Sequence, residues 1–179
     1  MIVRLFVAAE LPEEMLDALA ETSARIRDEV VGRYVAPELF HVTLAFLGEV
    51  PGAHAYEVGE LMRSGCHAQT VFQTSLGSLG IFGRSTSAML WQGFVGGEAA
   101  WTALARGVRH ALRGGGYALD EKSFIPHVTL MRRADVSRGV LPMPCIERGD
   151  IQRITLFSSD LRGSYPRYDA LESYDLKAL

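Results

Sequence analysis

The sequence predicts an α+β fold with mostly antiparallel sheets, and three observations carry that expectation. Strand-like and helix-like segments follow one another without a regular βαβ rhythm. Several strand candidates alternate apolar and polar residues with period two, as in a sheet with one buried face. One such tetrapeptide, His-Val-Thr-Leu, occurs twice, half a chain apart. The length of 179 residues suits one domain, or two small lobes sharing a core.

The elements follow in order. Ile2–Ala9 is rich in Val, Ile and Phe and reads as a first strand. Pro12 sits where a first helical turn tolerates proline, and Glu13 and Glu14 complement the helix N-terminus. Leu16, Leu19, Ala20, Ile26, Val30 and Val31 approximate an apolar stripe, so this helix is expected to end near Gly32. Val42, Leu44 and Phe46 then alternate with His41, Thr43 and Ala45, which predicts a strand closed by Gly48 and the Pro51-Gly52 pair. By that alternation Phe46 belongs in the core with Val42 and Leu44, outside any site.

A second helix is predicted over Ala55–Cys66. Strands over residues 71–79 and 88–94 flank a turn at 83–87, and a third helix over 98–112 is stopped by Gly114, Gly115 and Gly116. The chain returns to strand at 127–131. Residues 138–149, with Pro142 and Pro144, read as an extended connection before strands at 151–157 and 168–176.

Composition excludes several classes. Apolar residues make up 48% and charged residues 22%, ordinary values for a folded globular chain. A net charge of −3 argues against coating duplex nucleic acid by bulk electrostatics, while leaving recognition of one phosphate at a chain end open. Lys122 and Lys177 are the only lysines. Arginine suits bidentate phosphate recognition, and a genome-wide compositional bias accounts for the same excess. Cys66 and Cys145 form no CxxC pair and read as reduced, packed thiols of a cytoplasmic protein. The opening apolar run is short and passes directly into acidic residues, so neither a signal peptide nor a membrane span is expected.

The repeated tetrapeptide, at 41–44 and 127–130, carries the chemistry. Side chains at i and i+2 share a strand face, so His41 and Thr43 project together, as do His127 and Thr129. Val42, Leu44, Val128 and Leu130 bury the other face. Two copies at half-chain spacing suggest duplicated lobes facing one cleft, with two imidazoles and two hydroxyls around one point. Histidine titrates near neutrality, so one ring can act as base while the other acts as acid. Phosphodiester hydrolysis needs both, and the threonine hydroxyls can donate to the phosphoryl oxygens as charge develops. A zinc site is the competing use of imidazole, but neither copy holds a carboxylate or cysteine, and no HExxH or HxH spacing occurs. His54, His67 and His110 lie outside the repeat and are expected at the surface.

With these residues the chain resembles the two-histidine phosphoesterases, in particular the RNA 2′,3′-cyclic phosphodiesterases also called 2′-5′ RNA ligases. The resemblance runs through RLFVAAELPEE, PELFHVTLAFLGEV, SFIPHVTLMR, ITLFSSDL and YPRYDAL. It implies a single unit, residues 1–179, made of two pseudo-symmetric lobes with one motif in each, two antiparallel sheets around a central cleft and helices outside. It implies that His41 protonates the leaving oxygen and His127 accepts the proton from water, giving a 2′-phosphomonoester. It also implies a phosphate-holding role for Arg132, although simple alternation puts that residue opposite His127 unless the strand ends or twists there. Two positions depart from the family pattern: Ile125 replaces a common lysine and Tyr34 a usual tryptophan, changes expected to affect RNA affinity or end preference.

The expected function is therefore metal- and cofactor-independent hydrolysis of RNA 2′,3′-cyclic phosphate ends by a cytoplasmic monomer, with weak reverse 2′-5′ ligation. The alternatives are an esterase for small cyclic nucleotides or 2′-5′ oligonucleotides, and an RNA-end binding protein with incidental hydrolysis.

Overall fold

Period-two apolar segments build two antiparallel sheets, and the helices cover the sheet faces that those segments make apolar. The structure, a computed structural model, describes residues 1–178; Leu179, the last residue of the expected unit, lies outside the described residues. The strands are β1 (Ile2–Ala9), β2 (Val31–Tyr34), β3 (Val42–Pro51), β4 (Phe72–Phe82), β5 (Ala88–Val95), β6 (His127–Asp135), β7 (Arg148–Ile151), β8 (Arg153–Asp160) and β9 (Arg167–Asp175). The helices are α1 (Glu13–Arg27), α2 (Ala55–Cys66) and α3 (Glu98–Gly114).

One sheet has the order β3-β1-β8-β9 and the other β2-β6-β5-β4-β7. Both ends of the chain thus contribute to the first sheet. The strand expected at 151–157 divides at Gln152, which separates β7 in one sheet from β8 in the other.

Helix α1 buries Met15, Leu19 and Ile26 and packs toward β2, β6 and β7. Helices α2 and α3 pack on each other and against β3, β8 and β9. Leu5, Val7, Val42, Leu44, Leu104, Val108, Val128 and Leu156 join one buried cluster, each fully buried side chain contributing about 1.5–3 kcal/mol. Burial pushes the Cys66 thiol up to about 12, so it stays a neutral, inert part of this core. No helix among the described residues is long and apolar enough to cross a membrane.

The first helix corrects an expectation. It ends at Arg27, and Val31 belongs to β2, which pairs with β6. Gly32 is there for close approach, since a Cβ would sit 2.5 Å from the Met131 sulfur. The Tyr34 hydroxyl donates toward the carbonyls of Arg27 and Val30 at 3.2 and 3.1 Å. Tyr34 is therefore engaged with the C-terminal end of α1. Strand β3 also outruns its expected end, passing through Gly48 at φ +71° to Pro51.

Candidate active site

Both motifs contain the same irregularity. On β1, Ala8 pairs with Thr43 and Val7 with Ala45, so Leu44 is skipped. On β5, Trp91 pairs with Thr129 and Leu90 with Met131, so Leu130 is skipped. The leucine of each tetrapeptide is thus the extra residue of a β-bulge, which resets the alternation beyond it. Ala45 and Met131, one residue further on, are buried in the core. The fifth residue after each histidine then returns to the histidine's face, and those residues are Phe46 and Arg132.

This corrects the assignment of Phe46 to the core. It pairs with Phe6 on the cleft face and is 40% exposed. The same bulge puts Arg132 beside the histidines, which simple alternation did not. The displaced carbonyls have partners: Leu44 accepts from Arg109 Nε at 2.8 Å and Leu130 from the Val35 amide at 3.0 Å.

The two imidazoles are held alike. Nδ1 of His41 lies 2.7 Å from the Leu39 carbonyl, and Nδ1 of His127 lies 2.7 Å from that of Ile125. A carbonyl only accepts, so each Nδ1 carries the proton and each Nε2 is the nitrogen left for proton transfer. Nε2 of His41 is 3.0 Å from the Thr43 hydroxyl. Thr129 points its hydroxyl toward the sulfur of Met89, at 3.5 Å.

Aromatic rings wall both histidines. Phe6 and Tyr168 stand 4.9 and 5.5 Å from His41, centroid to centroid. Phe82 meets His127 edge-on at 5.1 Å, with Trp91 at 5.8 Å. Burial lowers the His41 pKa below the ordinary histidine value; the Leu39 carbonyl opposes this, while the charges of Arg132 and His127 add to it. For His127 burial again acts first, opposed by the Ile125 carbonyl and reinforced by Arg132. One guanidinium thus acts on both rings.

Sequence reasoning singled out the histidines, threonines and Arg132 but missed the aromatic walls. A signal was present for Trp91. Gly80 lies opposite it in register, and a Cβ there would meet the indole at 2.4 Å; a glycine inside a strand often marks such close approach. His54, His67 and His110 are exposed, as expected. No three His, Cys, Asp or Glu side chains cluster to hold a metal among the described residues.

The model of the 2′-5′ RNA ligase superfamily matches residues 15–139. The chain belongs to the 2′-5′ RNA ligase superfamily. An RNA 2′,3′-cyclic phosphodiesterase from Geobacillus stearothermophilus is 35% identical across 96% of the chain, which spans 56% of that relative's length. One from Thermus thermophilus is 30% identical, covering 98% of this chain and 91% of its own. Among solved structures of the superfamily's fold, Escherichia coli LigT complexed with 3′-AMP superposes with a TM-score of 0.81 at 28% identity, over 98% of this chain and 99% of that one.

Proposed function

We propose that this chain hydrolyses RNA 2′,3′-cyclic phosphodiester ends to 2′-phosphomonoesters by acid–base catalysis between two histidines. The observation that carries the reading is the matched pair of imidazoles, each with Nδ1 committed to a carbonyl and both subject to the charge of Arg132. The relatives named for that activity support it. The matched bulges support reading the chain as one unit of two pseudo-symmetric lobes with one motif in each.

In this reaction Nε2 of His127 takes a proton from the attacking water. The oxygen bonds to phosphorus, the P–O3′ bond breaks, and His41 gives its Nε2 proton to O3′. Solvent then returns the pair to its starting state. Burial favours a neutral His127, as a base requires. His41 must take up a proton, and the anionic substrate favours that by opposing the charge of Arg132. Thr43 and Thr129 donate to the non-bridging oxygens, and Arg132 holds the phosphate. When the 5′-hydroxyl of a second RNA takes the place of water, the same steps break P–O3′ and form a 2′-5′ phosphodiester, a weak and reversible ligation. The reading needs no cofactor and no membrane, and places a monomer on RNA ends in the cytoplasm.

Short RNAs with 2′,3′-cyclic, 3′-phosphate and 2′-phosphate ends, together with 2′,3′-cyclic mononucleotides, test the proposal. Consumption of the cyclic ends alone, with a 2′-phosphate product, is expected. A 3′-phosphate product would overturn the leaving-group assignment, and binding without turnover would leave an RNA-end binding protein. Faster turnover of cyclic mononucleotides than of RNA ends would favour a small-nucleotide esterase, a reading to which the 3′-AMP complex of LigT lends weight.

A further inference from the structure

An aromatic ring 40% exposed on the cleft face leaves apolar surface in water that contact with a partner would favourably bury. Phe46 is such a ring, and the Arg4 guanidinium carbon stands 4.6 Å from its centroid. Arg4 lies opposite Glu49 and Ser159 in register yet forms no ion pair with any described residue. Another arginine over an aromatic ring differs: Arg109, over Phe124, spends its donors on the carbonyls of Leu44 and Lys122. The Arg4–Phe46 pair is a flat cationic surface rather than a staple of the fold.

Its position suits one part of a nucleotide. Phe46 pairs with Phe6, and neighbouring strands lie about 4.8 Å apart. Phe6 itself touches the His41 ring at 4.9 Å. Phe46 lies on the strand that His41 leads into and on the same face, so the surface stands beside the Phe6 wall of the reacting centre, on the side toward which a nucleotide held at its phosphate can extend its base. Phe46 also occupies the position in the first motif that Arg132 occupies in the second. Matched bulges turn both toward the cleft, one with a charge and one with a π-face.

We propose that Phe46 and Arg4 form a stacking platform for the nucleobase of the nucleotide bearing the cyclic phosphate. Guanidinium planes and aromatic rings both stack on bases without reading their edges. The platform therefore requires a base and tolerates any of the four, binding purines more tightly through their larger faces. This inference rests on the hydrolytic reading above and adds the part of the substrate recognised beyond the phosphate.

The experiment compares two short RNAs with 2′,3′-cyclic phosphate ends, one carrying adenine on the terminal nucleotide and one abasic there. Wild-type protein should prefer the adenine end by about 5- to 100-fold in kcat/KM, mostly through KM. Phe46→Leu, which keeps apolar bulk without a π-face, should bring that ratio close to one, and Phe46→Trp should preserve it. Arg4→Met should lower the ratio in part. Equal rates on the two RNAs with wild-type protein would overturn the platform and leave the two-histidine reaction intact. So would a ratio unchanged in Phe46→Leu. Failure of wild-type protein to hydrolyse either RNA would instead overturn the hydrolytic reading itself. The wild-type comparison decides the matter even if the variants fold poorly.

Discussion

Arg109 donates from Nε to the carbonyl of Leu44 at 2.8 Å, and that carbonyl is the one the bulge in β3 turns away from its neighbour. The same guanidinium reaches the Lys122 carbonyl through Nη1 at 3.0 Å. One side chain of α3 thus ties the strand of the first motif to the segment that leads into the second. Arg109→Met should lose two charge-assisted hydrogen bonds, destabilising the fold by about 1.5–3 kcal/mol in urea unfolding. It should also raise KM for the cyclic RNA end, because the bulge that aims Phe46 relaxes; a variant with wild-type stability and KM would remove Arg109 from this role.

Thr43 and Thr129 are the proposed donors to the phosphoryl oxygens. Valine keeps the β-branched shape and removes the hydroxyl, so Thr43→Val and Thr129→Val should each lose about 10- to 1,000-fold in kcat/KM. Steady-state kinetics on the cyclic RNA end measure this, and wild-type values in both folded variants would take the threonines out of the mechanism.

The pH dependence follows from two imidazoles held below the ordinary value of 6.5. Activity of the free enzyme requires one ring neutral and its partner protonated. Then kcat/KM should trace a bell on the acid side of that value, and the rate should fall as pH rises through the upper limb. Removing a nearby cation raises a histidine's pKa, so Arg132→Met should move both limbs to higher pH. Limbs that stay in place would separate Arg132 from the pair.

The histidine pair proposed for catalysis was legible because a tetrapeptide of period two occurs twice, and period two puts His and Thr on one face. The same rule misplaced Phe46 and could not put Arg132 beside His127. A bulge adds one residue without changing the composition around it, and Leu44 and Leu130 look like ordinary core positions. β2 was hidden for a related reason: Val30 and Val31 prolong the apolar stripe of α1 by coincidence of spacing. The aromatic walls were invisible as walls, since Phe6, Phe82 and Trp91 in strands read equally well as core. Arg109 had no signal at all, because its partners are two backbone carbonyls distant in sequence.

Metal dependence offers a separate check. The motifs supply imidazoles and hydroxyls but no carboxylate or thiolate, so hydrolysis should continue at its full rate after EDTA treatment and dialysis. Loss of activity restored by zinc or manganese would replace acid–base catalysis with a metal-activated water.

The roles of His41 and His127 are tested most directly by a leaving group that needs no proton. In a 2′,3′-cyclic substrate with sulfur in place of O3′, the thiolate departs unprotonated, while the attacking water still requires a base. His41→Ala should be severely impaired on the oxygen substrate and recover most of its rate on the sulfur one. His127→Ala should be impaired on both. Recovery of His127→Ala instead would exchange the acid and the base, and full activity of both variants on the oxygen substrate would contradict two-histidine catalysis altogether.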